Sequence, residues 1–426
     1  MELKTSLVNG LRSAGVPFGR LALSRLLEIE SKDERTVTVF ECETGQRRRV
    51  SRALYQIMKK FERPADLTEV ISPELLSRVE RPLEELVAAG FLVEVDCAPK
   101  RLHNHLKPVA NTLFRAPARI PGRPDADLAV IGIPFDGGNV IGPGARQGPA
   151  ELRKHSWQYP YRIDFDTEAP AGWFEVETEK TILEGVTISD WGDVHFTHGE
   201  PAEVLFQRAE DVVQATVEQG AFPLLLGGDH SVTYPIVRAL QRNRALTVVW
   251  LDAHLDHGTL HPGCCHNHKN VVRRILELPN VKQVVNVGYR GYASADGVTT
   301  PPKRMDVITA SRLRRLGIPS MVDTLPPAQA CYISLDIDVL DPSCAAGTAT
   351  PVPGGLQPQE LKELLRRIGE QRHVVGMDIV ELNPLKDPSG VTCLLASELL
   401  LAALGSALAH RGSYVKSGNK TCINGA

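Results

Sequence analysis

Three short apolar runs in this chain each end in acidic or histidine side chains, and this repetition constrains the fold more than any other feature. The endings are GGDHS at 227–231, DAHLD at 252–256 and DID at 336–338. Runs of this length, rich in β-branched residues, predict buried strands. Alternate residues of an extended segment point the same way, so the side chains of Asp252, His254 and Asp256 can converge. Because ligands bind at the carboxyl ends of strands in parallel α/β sheets, the three endings together predict one metal site.

Each ending taken alone has an ordinary structural interpretation. A DxHxD sequence is typical of a turn or a solvated strand end, a GGDHS sequence of a loop, and an acidic pair before Asp-Pro of a helix cap. Three such endings, each placed directly after an apolar run, favour a shared site over three unrelated turns.

From residue 126 onward, apolar runs alternate with helical patterns. Strands are predicted at 128–132, 222–226, 247–251, 281–287, 332–337 and 374–380, helices at 202–219 and 358–372, and an apolar closing helix at 394–410. This alternation predicts a parallel sheet flanked by helices. The preceding stretch, 97–125, is rich in Pro, Arg and Lys without a sustained period and is predicted to be a linker.

Residues 1–96 follow a different pattern. Strands are predicted at 36–42 and 47–50, a helix from Ser51 to Phe61, a short helix at 66–71, and a longer helix that starts at Ser72 and is interrupted by Pro82. A closing strand is predicted at 91–95. Two strands, three helices and a closing strand predict a small winged helix-turn-helix domain.

Three uses of this domain stay open. DNA binding is common for the fold, but a recognition helix should be basic, and the helix at 73–89 carries acids as well as bases. A structural or oligomerising extension is the second use. The segment also resembles the winged-helix modules, similar to the pyrroloquinoline-biosynthesis peptide chaperone, that recognise leader peptides in ribosomal peptide natural-product pathways. Such modules add the peptide as a strand to an exposed sheet edge.

The motifs of the larger segment resemble those of the ureohydrolase family, which contains arginase, agmatinase and related amidinohydrolases. GGDHS, DAHLD and SLDIDVLDP (334–342) resemble its signature blocks, GIPFD (132–136) with PGARQGP (143–149) its opening strand and loop, and GMDIVELNP (376–384) its late strand. The likeness runs from about residue 127 to about residue 411. It implies an α/β fold, a three-layer α/β/α sandwich with a mainly parallel sheet, as the catalytic domain at 126–426.

The resemblance also implies two Mn²⁺ ions per subunit. One ion takes the positions of His230, Asp252, Asp256 and Asp336, and the other those of Asp252, His254, Asp336 and Asp338. Such an oxygen-rich set suits Mn²⁺ better than a closed zinc site, although the neighbouring pair Cys264-Cys265 keeps zinc open. Two ions in such a site can lower the pKa of a water molecule toward neutrality.

Three catalytic roles follow from the same resemblance. Asp338 is expected to assist proton transfer, and Glu381 to hold the substrate guanidinium. The family places a proton-shuttle histidine about a dozen residues after the DAHxD block, which suits chemistry at neutral pH. The loop offers His257, His261, His266 and His268. His268 lies nearest the expected offset, and His266 is second and a candidate substrate-binding residue.

The chain departs from arginases where those enzymes recognise free arginine. Arginases bind the α-carboxylate and α-amino groups with a Ser/Asn-rich loop after DAHxD and with an acid after a Gly-x-Arg strand end. Here the loop is HGTLHPGCCHNHKN (257–270), and the position expected for the acid is Ala293. The absence of these groups, together with the N-terminal domain, favours a peptide arginase. Such an enzyme converts arginine residues of a precursor peptide to ornithine and releases urea.

Four functions therefore stay open. They are this peptide-modifying hydrolase, a small-molecule amidinohydrolase for agmatine, arginine or a guanidino acid, a DNA-binding sensor without catalysis, and formimino or other C–N hydrolysis. The complete ligand set argues against the sensor.

The net charge, the apolar runs and the cysteine content of the chain limit the binding partners and the cellular setting that we expect. A net charge of −3 argues against electrostatic binding to nucleic acid. The first residues lack the apolar core of a signal peptide, and no run is long enough to span a membrane. Eight cysteines without a Cys-x-x-Cys motif predict a reducing, cytoplasmic setting. The family resemblance implies a homo-oligomer.

Overall fold

The computed structural model describes residues 21–23, 27–41, 46–62, 65, 67–89, 91–94, 105–118, 126–197, 199–259, 266–292, 302–326 and 330–409. The chain separates into two compact units, residues 1–101 and 102–426. The division falls inside the predicted linker.

The smaller unit combines a three-stranded antiparallel meander with three helices and a two-stranded pair. The strands β2 (Leu27–Lys32), β3 (Thr36–Glu41) and β4 (Gln46–Ser51) form the meander, and β1 (Leu21–Leu23) pairs with β5 (Leu92–Glu94). Between β4 and β5 lie α1 (Arg52–Lys59), α2 (Leu67–Val70) and α3 (Pro73–Ala88). A core that includes Val39, Met58, Phe61, Leu83 and Phe91 joins them. The winged helix-turn-helix assignment stays a prediction.

Residues with strong local preferences determine where most of these helices and strands begin. The Ser51 hydroxyl accepts a hydrogen bond from the Leu54 amide at 3.1 Å and caps α1. Helix α3 begins at Pro73, as predicted, but it runs through Pro82 without the predicted interruption. Strands β1 and β2 were not predicted, because their short, mixed sequences carry little alternation.

The larger unit is built on one sheet, in which the described residues form nine strands. The strands are β6 (Leu106–Lys107), β7 (Leu128–Ile133), β10 (Ile188–Val194), β11 (Phe222–Gly227), β12 (Leu246–Leu251), β13 (Val281–Tyr289), β14 (Met305–Thr309), β15 (Ala330–Asp336) and β16 (Val374–Val380). Their order in the sheet is β14-β13-β12-β15-β16-β11-β7-β10-β6, and every neighbouring pair is parallel except β10 and β6. A separate hairpin pairs β8 (Trp173–Glu175) with β9 (Lys180–Ile182). The predicted mainly parallel sheet is confirmed.

Helices cover both faces of this sheet. Alternate residues of each strand enter two different cores: Val249 and Leu251 of β12 face one, while Val248 and Trp250 face the other. The first core holds α4 (Gly148–His155), α8 (Ala310–Leu316), α9 (Ile318–Asp323), α10 (Pro358–Gln371) and α11 (Val391–Ala407). The second holds α5 (Ala202–Glu218), α6 (Thr233–Leu240) and α7 (Val271–Glu277). The architecture is therefore three-layered, α/β/α, as predicted.

Part of the predicted linker packs against the larger unit. Residues 105–118 contain β6, and Leu113 and Phe114 are fully buried. The Leu113 amide donates to the buried carboxylate of Asp190 at 2.8 Å. The composition of this stretch could not show this, because only a few of its side chains enter the core.

Within the described residues, no helix is long and apolar enough to cross a membrane.

Candidate metal centre and its cavity

His230 follows β11, and its Nδ1 atom lies close to three carboxylate oxygens, so that four possible ligand atoms come together. Its Nδ1 atom lies 3.1 Å from Asp252 Oδ2, 3.3 Å from Asp256 Oδ2 and 3.2 Å from Asp336 Oδ2. The Nδ1 atom is buried and has no hydrogen-bond partner in the described structure. A buried nitrogen facing three carboxylate oxygens is the arrangement that a cation would satisfy.

A second cluster adjoins the first through Asp252. His254 Nδ1 lies 3.4 Å from Asp252 Oδ1 and 3.0 Å from Asp338 Oδ2. Asp252 thus contacts both histidines. The structure brings all six predicted ligand residues together. Five of them form two groups of possible ligands that share Asp252, and Asp336 joins them through its contact with His230.

The electrostatics of the centre show that the cluster needs positive charge. Burial disfavours the charged form of His254, but its contacts with Asp252 and Asp338 outweigh burial and raise its pKa to about 12. The pKa of His230 is raised well above its usual value in the same way. Burial and the neighbouring Asp338 and Asp252 carboxylates raise the pKa of Asp336. Bound cations would neutralise these carboxylates, and the oxygen-rich set fits Mn²⁺ or a similar hard ion.

Trp250 orients the carboxylate of Asp252, which both clusters share. Its Nε1 donates to Asp252 Oδ2 at 2.8 Å, and its ring stacks on His230 with the centroids 3.8 Å apart and the planes 9° apart. The residue lies on β12, two positions before Asp252, so both side chains point to the same face of the strand. Sequence reasoning treated Trp250 only as part of an apolar run.

A buried polar network orients His230 from the other side. Its Nε2 contacts Ser334 Oγ at 2.9 Å, and Ser334 Oγ donates to Asp378 Oδ1 at 2.8 Å. Thr233 and Tyr332 donate to Asp378 Oδ2 at 2.8 and 2.6 Å. Sequence reasoning missed the role of Asp378, although the residue lies in the GMDIVELNP block. Partners of this kind fix the orientation of a metal-binding imidazole.

Glu381 follows β16 and lies beside the cluster. Its Oε1 accepts from the His230 amide at 2.9 Å and contacts His268 Nδ1 at 3.1 Å. Its backbone has φ +60°, and that of Asp256 has φ +46°. Left-handed conformations at non-glycine residues are costly and are often found at functional sites. Here they turn both carboxylates toward the cavity that they line.

His268, the predicted proton shuttle, is held between two opposing groups. Burial lowers its pKa, but the Glu381 carboxylate outweighs burial, and the net shift is upward. On the other side of the ring, the Val140 amide donates to Nε2 at 3.3 Å, which requires a neutral ring with its proton on Nδ1. The neutral ring can make both contacts, and the charge of Glu381 also stabilises the protonated ring, which suits a group that gains and loses a proton.

The other loop histidines lie elsewhere. His266 contacts Glu203 through Nε2 at 3.0 Å and Arg274 through Nδ1, and its ring packs edge-on against Phe206. It does not line the cavity that Glu381 lines, so the geometry gives its predicted substrate-binding role no support. His257 is half-buried, and burial lowers its pKa. His261 and the pair at 264–265 lie outside the described residues.

A cavity of about 190 Å³ opens beside the candidate metal centre. Its lining consists of Ile141, His254, Asp256, His268, Lys269, Asp336, Thr350 and Glu381. Thr350 Oγ1 donates to Asp338 Oδ2 at 3.2 Å, and Asn139 Nδ2 donates to Glu381 Oε2 at 3.4 Å. Sequence reasoning missed both residues. Both lie close to motif blocks, Asn139 between GIPFD and PGARQGP and Thr350 behind SLDIDVLDP, and this position was the signal available.

The strand end where arginases carry an acid is only partly described. Arg290 is half-buried and donates to backbone carbonyls of Asp338, Leu340 and Val352. Tyr292 is fully exposed. The predicted position of the missing acid, Ala293, lies outside the described residues.

Comparison with known proteins matches this centre to a family. A family model described as "Arginase family" matches residues 126–405. Proclavaminate amidinohydrolase of Streptomyces clavuligerus is 32% identical over 318 residues, with 70% of this chain and 95% of that protein covered. Its solved structure superimposes with a TM-score of 0.59 at 30% identity and covers 70% of this chain and 98% of that one.

Two further relatives are similar over the same unit. The mitochondrial guanidino acid hydrolase of Homo sapiens is 32% identical, with 65% of this chain and 77% of that protein covered. The mitochondrial agmatinase of Gallus gallus is 31% identical, with 65% and 80% covered.

Proposed function

Because this chain belongs to the arginase family, it is a hydrolase of C–N bonds in linear amidines, and we propose that its substrate is an arginine residue of a precursor peptide. The products are an ornithine residue and urea. One observation carries the guanidino chemistry: the Glu381 carboxylate and the carboxylates of the candidate metal centre line a single cavity.

The reaction requires activation of a water molecule, because a guanidinium carbon is a poor electrophile. We propose that the six clustered residues would hold two Mn²⁺ ions, which would supply this activation by lowering the pKa of water. Glu381 binds the guanidinium through charge-assisted hydrogen bonds and fixes its carbon beside the centre. Water adds its oxygen to that carbon, and the bond from the carbon to the alkyl nitrogen breaks.

The alkyl nitrogen must take a proton as it leaves. We assign this transfer to His268, because its ring touches Glu381 and because the Glu381 carboxylate stabilises the protonated ring that can give up a proton. Asp338 is assigned to proton transfer from the attacking water, with Thr350 holding its Oδ2 atom. One water is consumed, and the products are the free amine and urea.

The peptide assignment is supported by the charges in the cavity. Beyond Glu381 and the carboxylates of the candidate centre, no acid among the described residues lines it. The α-ammonium group of free arginine and the terminal ammonium of agmatine therefore lack a counter-charge there. An arginine within a peptide has no such ammonium group.

The N-terminal unit supports the same assignment. Its meander ends in two outer strands, β2 and β4, and each pairs with β3 alone among the described strands. The free edge of such a strand can accept an extended peptide as an additional strand. We propose that this unit binds the leader segment of the precursor.

A small-molecule amidinohydrolase is the second candidate. It is favoured by the relatives named above, whose printed names refer to small guanidino compounds. In that case the N-terminal unit has a structural role.

Urea release distinguishes the candidates. Mn²⁺-loaded protein is given free arginine, agmatine, 4-guanidinobutanoate and an arginine peptide with blocked ends, with and without a leader segment. The peptide proposal expects urea from the peptide, with each converted arginine losing its amidine carbon and two nitrogens in the mass spectrum. Turnover of the small compounds alone would refute the peptide assignment and support the second candidate.

A further inference from the structure

We propose that Lys269 recognises a carboxylate of the substrate, so that the enzyme acts on guanidino compounds with an anionic group beyond the guanidinium. This inference rests on the proposed guanidino chemistry and specifies the class of substrate. It comes from the charges of the cavity lining and from the way in which the backbone of Lys269 is held.

Lys269 follows His268 directly, and both residues line the cavity. Its amide donates to Asn267 Oδ1 at 3.0 Å, and its carbonyl accepts from the Gly258 amide at 2.6 Å. The bond to Gly258 joins the start of the loop after Asp256 to its end, and the bond to Asn267 closes a local turn. The backbone of Lys269 is therefore fixed next to the predicted proton shuttle.

The side chain itself is exposed, and no carboxylate pairs with its ammonium group in the described part of the chain. The carboxylates of the lining are already engaged. Asp256 and Asp336 contact His230, and Glu381 contacts the His230 amide and His268. Lys269 is the one lysine or arginine among the described lining residues. Its charge is thus available to a ligand.

The cavity is therefore bipolar. Glu381 marks the end that attracts a guanidinium, and Lys269 lies on the wall with an opposite charge. Ile141, about half exposed, adds an apolar surface for the methylene groups of a substrate. A compound with a cation at both ends is repelled by Lys269, whereas one with a cation and an anion satisfies both ends.

Two sources can supply this carboxylate. A free ω-guanidino acid carries it at the end of its own chain. A peptide carries it on an aspartate or glutamate next to the arginine. The chemistry that Lys269 recognises is the same in both, so the substrates used in the test must separate the two sources.

The test compares Lys269→Met and Lys269→Glu with the native protein. The substrates are 4-guanidinobutanoate and agmatine, which differ mainly in the charge of the far end, and blocked peptides with aspartate, glycine or lysine beside the arginine. Lys282→Glu is the matched control, because Lys282 is exposed at the start of β13, at the opposite end of the strand from the cavity.

The native protein should prefer the anionic member of each series. Lys269→Met should raise KM for the anionic substrate about two- to fivefold and leave kcat nearly unchanged, because the contact is equally strong in ground and transition states. Lys269→Glu should reverse the preference, and Lys282→Glu should not change it. Added salt should raise KM for the anionic substrate in the native protein but not in Lys269→Met.

Each outcome decides the inference. If the native protein and Lys269→Glu show the same preference between anionic and cationic substrates, the inference about Lys269 is overturned. Urea release in the same assay would still support the proposed function. A preference limited to peptides identifies a neighbouring acidic residue as the source, and one limited to free acids identifies the small compound. If no substrate releases urea, calorimetry of 4-guanidinobutanoate and agmatine binding to metal-free protein still measures the charge preference, so its absence overturns the inference separately.

Discussion

Replacing Trp250 by phenylalanine tests whether the residues behind the ligands control metal binding. The substitution keeps an aromatic ring over His230 but removes the Nε1 hydrogen to Asp252 Oδ2, a bond of 2.8 Å. A hydrogen bond to a buried charged group contributes about 1.5–3 kcal/mol. If most of this energy orients Asp252 for metal, Mn²⁺ affinity falls about 10- to 100-fold, the range found for such outer partners.

The assay is equilibrium dialysis of Mn²⁺ against the native and variant proteins, with the metal measured by atomic spectroscopy. Trp173→Phe is the matched control, because Trp173 Nε1 also donates one hydrogen bond, to the Tyr159 carbonyl at 3.2 Å, and Trp173 lies outside the candidate centre. Both variants should lose thermal stability, but only Trp250→Phe should lose Mn²⁺ affinity.

An Mn²⁺ dissociation constant within twofold of native for Trp250→Phe would refute the reasoning. It would mean that Asp252 keeps its orientation through its other contacts, among them the His254 amide. The indole would then serve packing alone.

Three further predictions follow from the geometry. Glu381→Gln should lower kcat/KM for any guanidino substrate about 100-fold or more because it removes the counter-charge of the guanidinium, and an unchanged kcat/KM would contradict its role. The Ser343 hydroxyl and nearby backbone amides hold the pKa of Asp341 at about 2, so its stabilising effect is present above pH 4 and is lost as the pH falls toward 2. Asp341→Asn should therefore destabilise the protein at pH 6 but not at pH 2, as measured by urea unfolding, and an equal effect at both would contradict this. Gly228→Ala should destabilise the protein to urea unfolding by about 3 kcal/mol or more, because its Cβ would overlap the Phe135 carbonyl oxygen, whereas Gly142→Ala meets open space and should have little effect.

Much of the fold could be predicted because its signals are local. Strand β12 occupies the run ending at Leu251, and helix α1 begins after its predicted cap, Ser51. Apolar runs and capping residues act within a few positions, so a single sequence displays them. Strand β1 could not be predicted, since its three residues pair with β5 about seventy residues later.

The residues of the candidate site also divide into those that the sequence could predict and those that it could not. The six clustered residues and Glu381 stand next to strand ends, where residue type and position suffice to identify them. Trp250 and Asp378 lie inside strands and look like ordinary sheet residues. Their roles depend on which neighbour each side chain reaches across the sheet, and that depends on the strand order.

The sequence alone determined which side chains end the strands and which chemistry they can perform, because residue type fixes both the donor atoms and the local backbone. Only the tertiary structure decided that β12, β15, β16 and β11 lie side by side, which brings His230 to Asp252, Asp336 and Glu381. It also decided that His268 and Lys269 line the cavity, whereas His266 turns to Arg274 and Phe206. Strand order and loop path result from packing among residues far apart in the chain, such as Asn139 and Glu381, and no local pattern encodes such contacts.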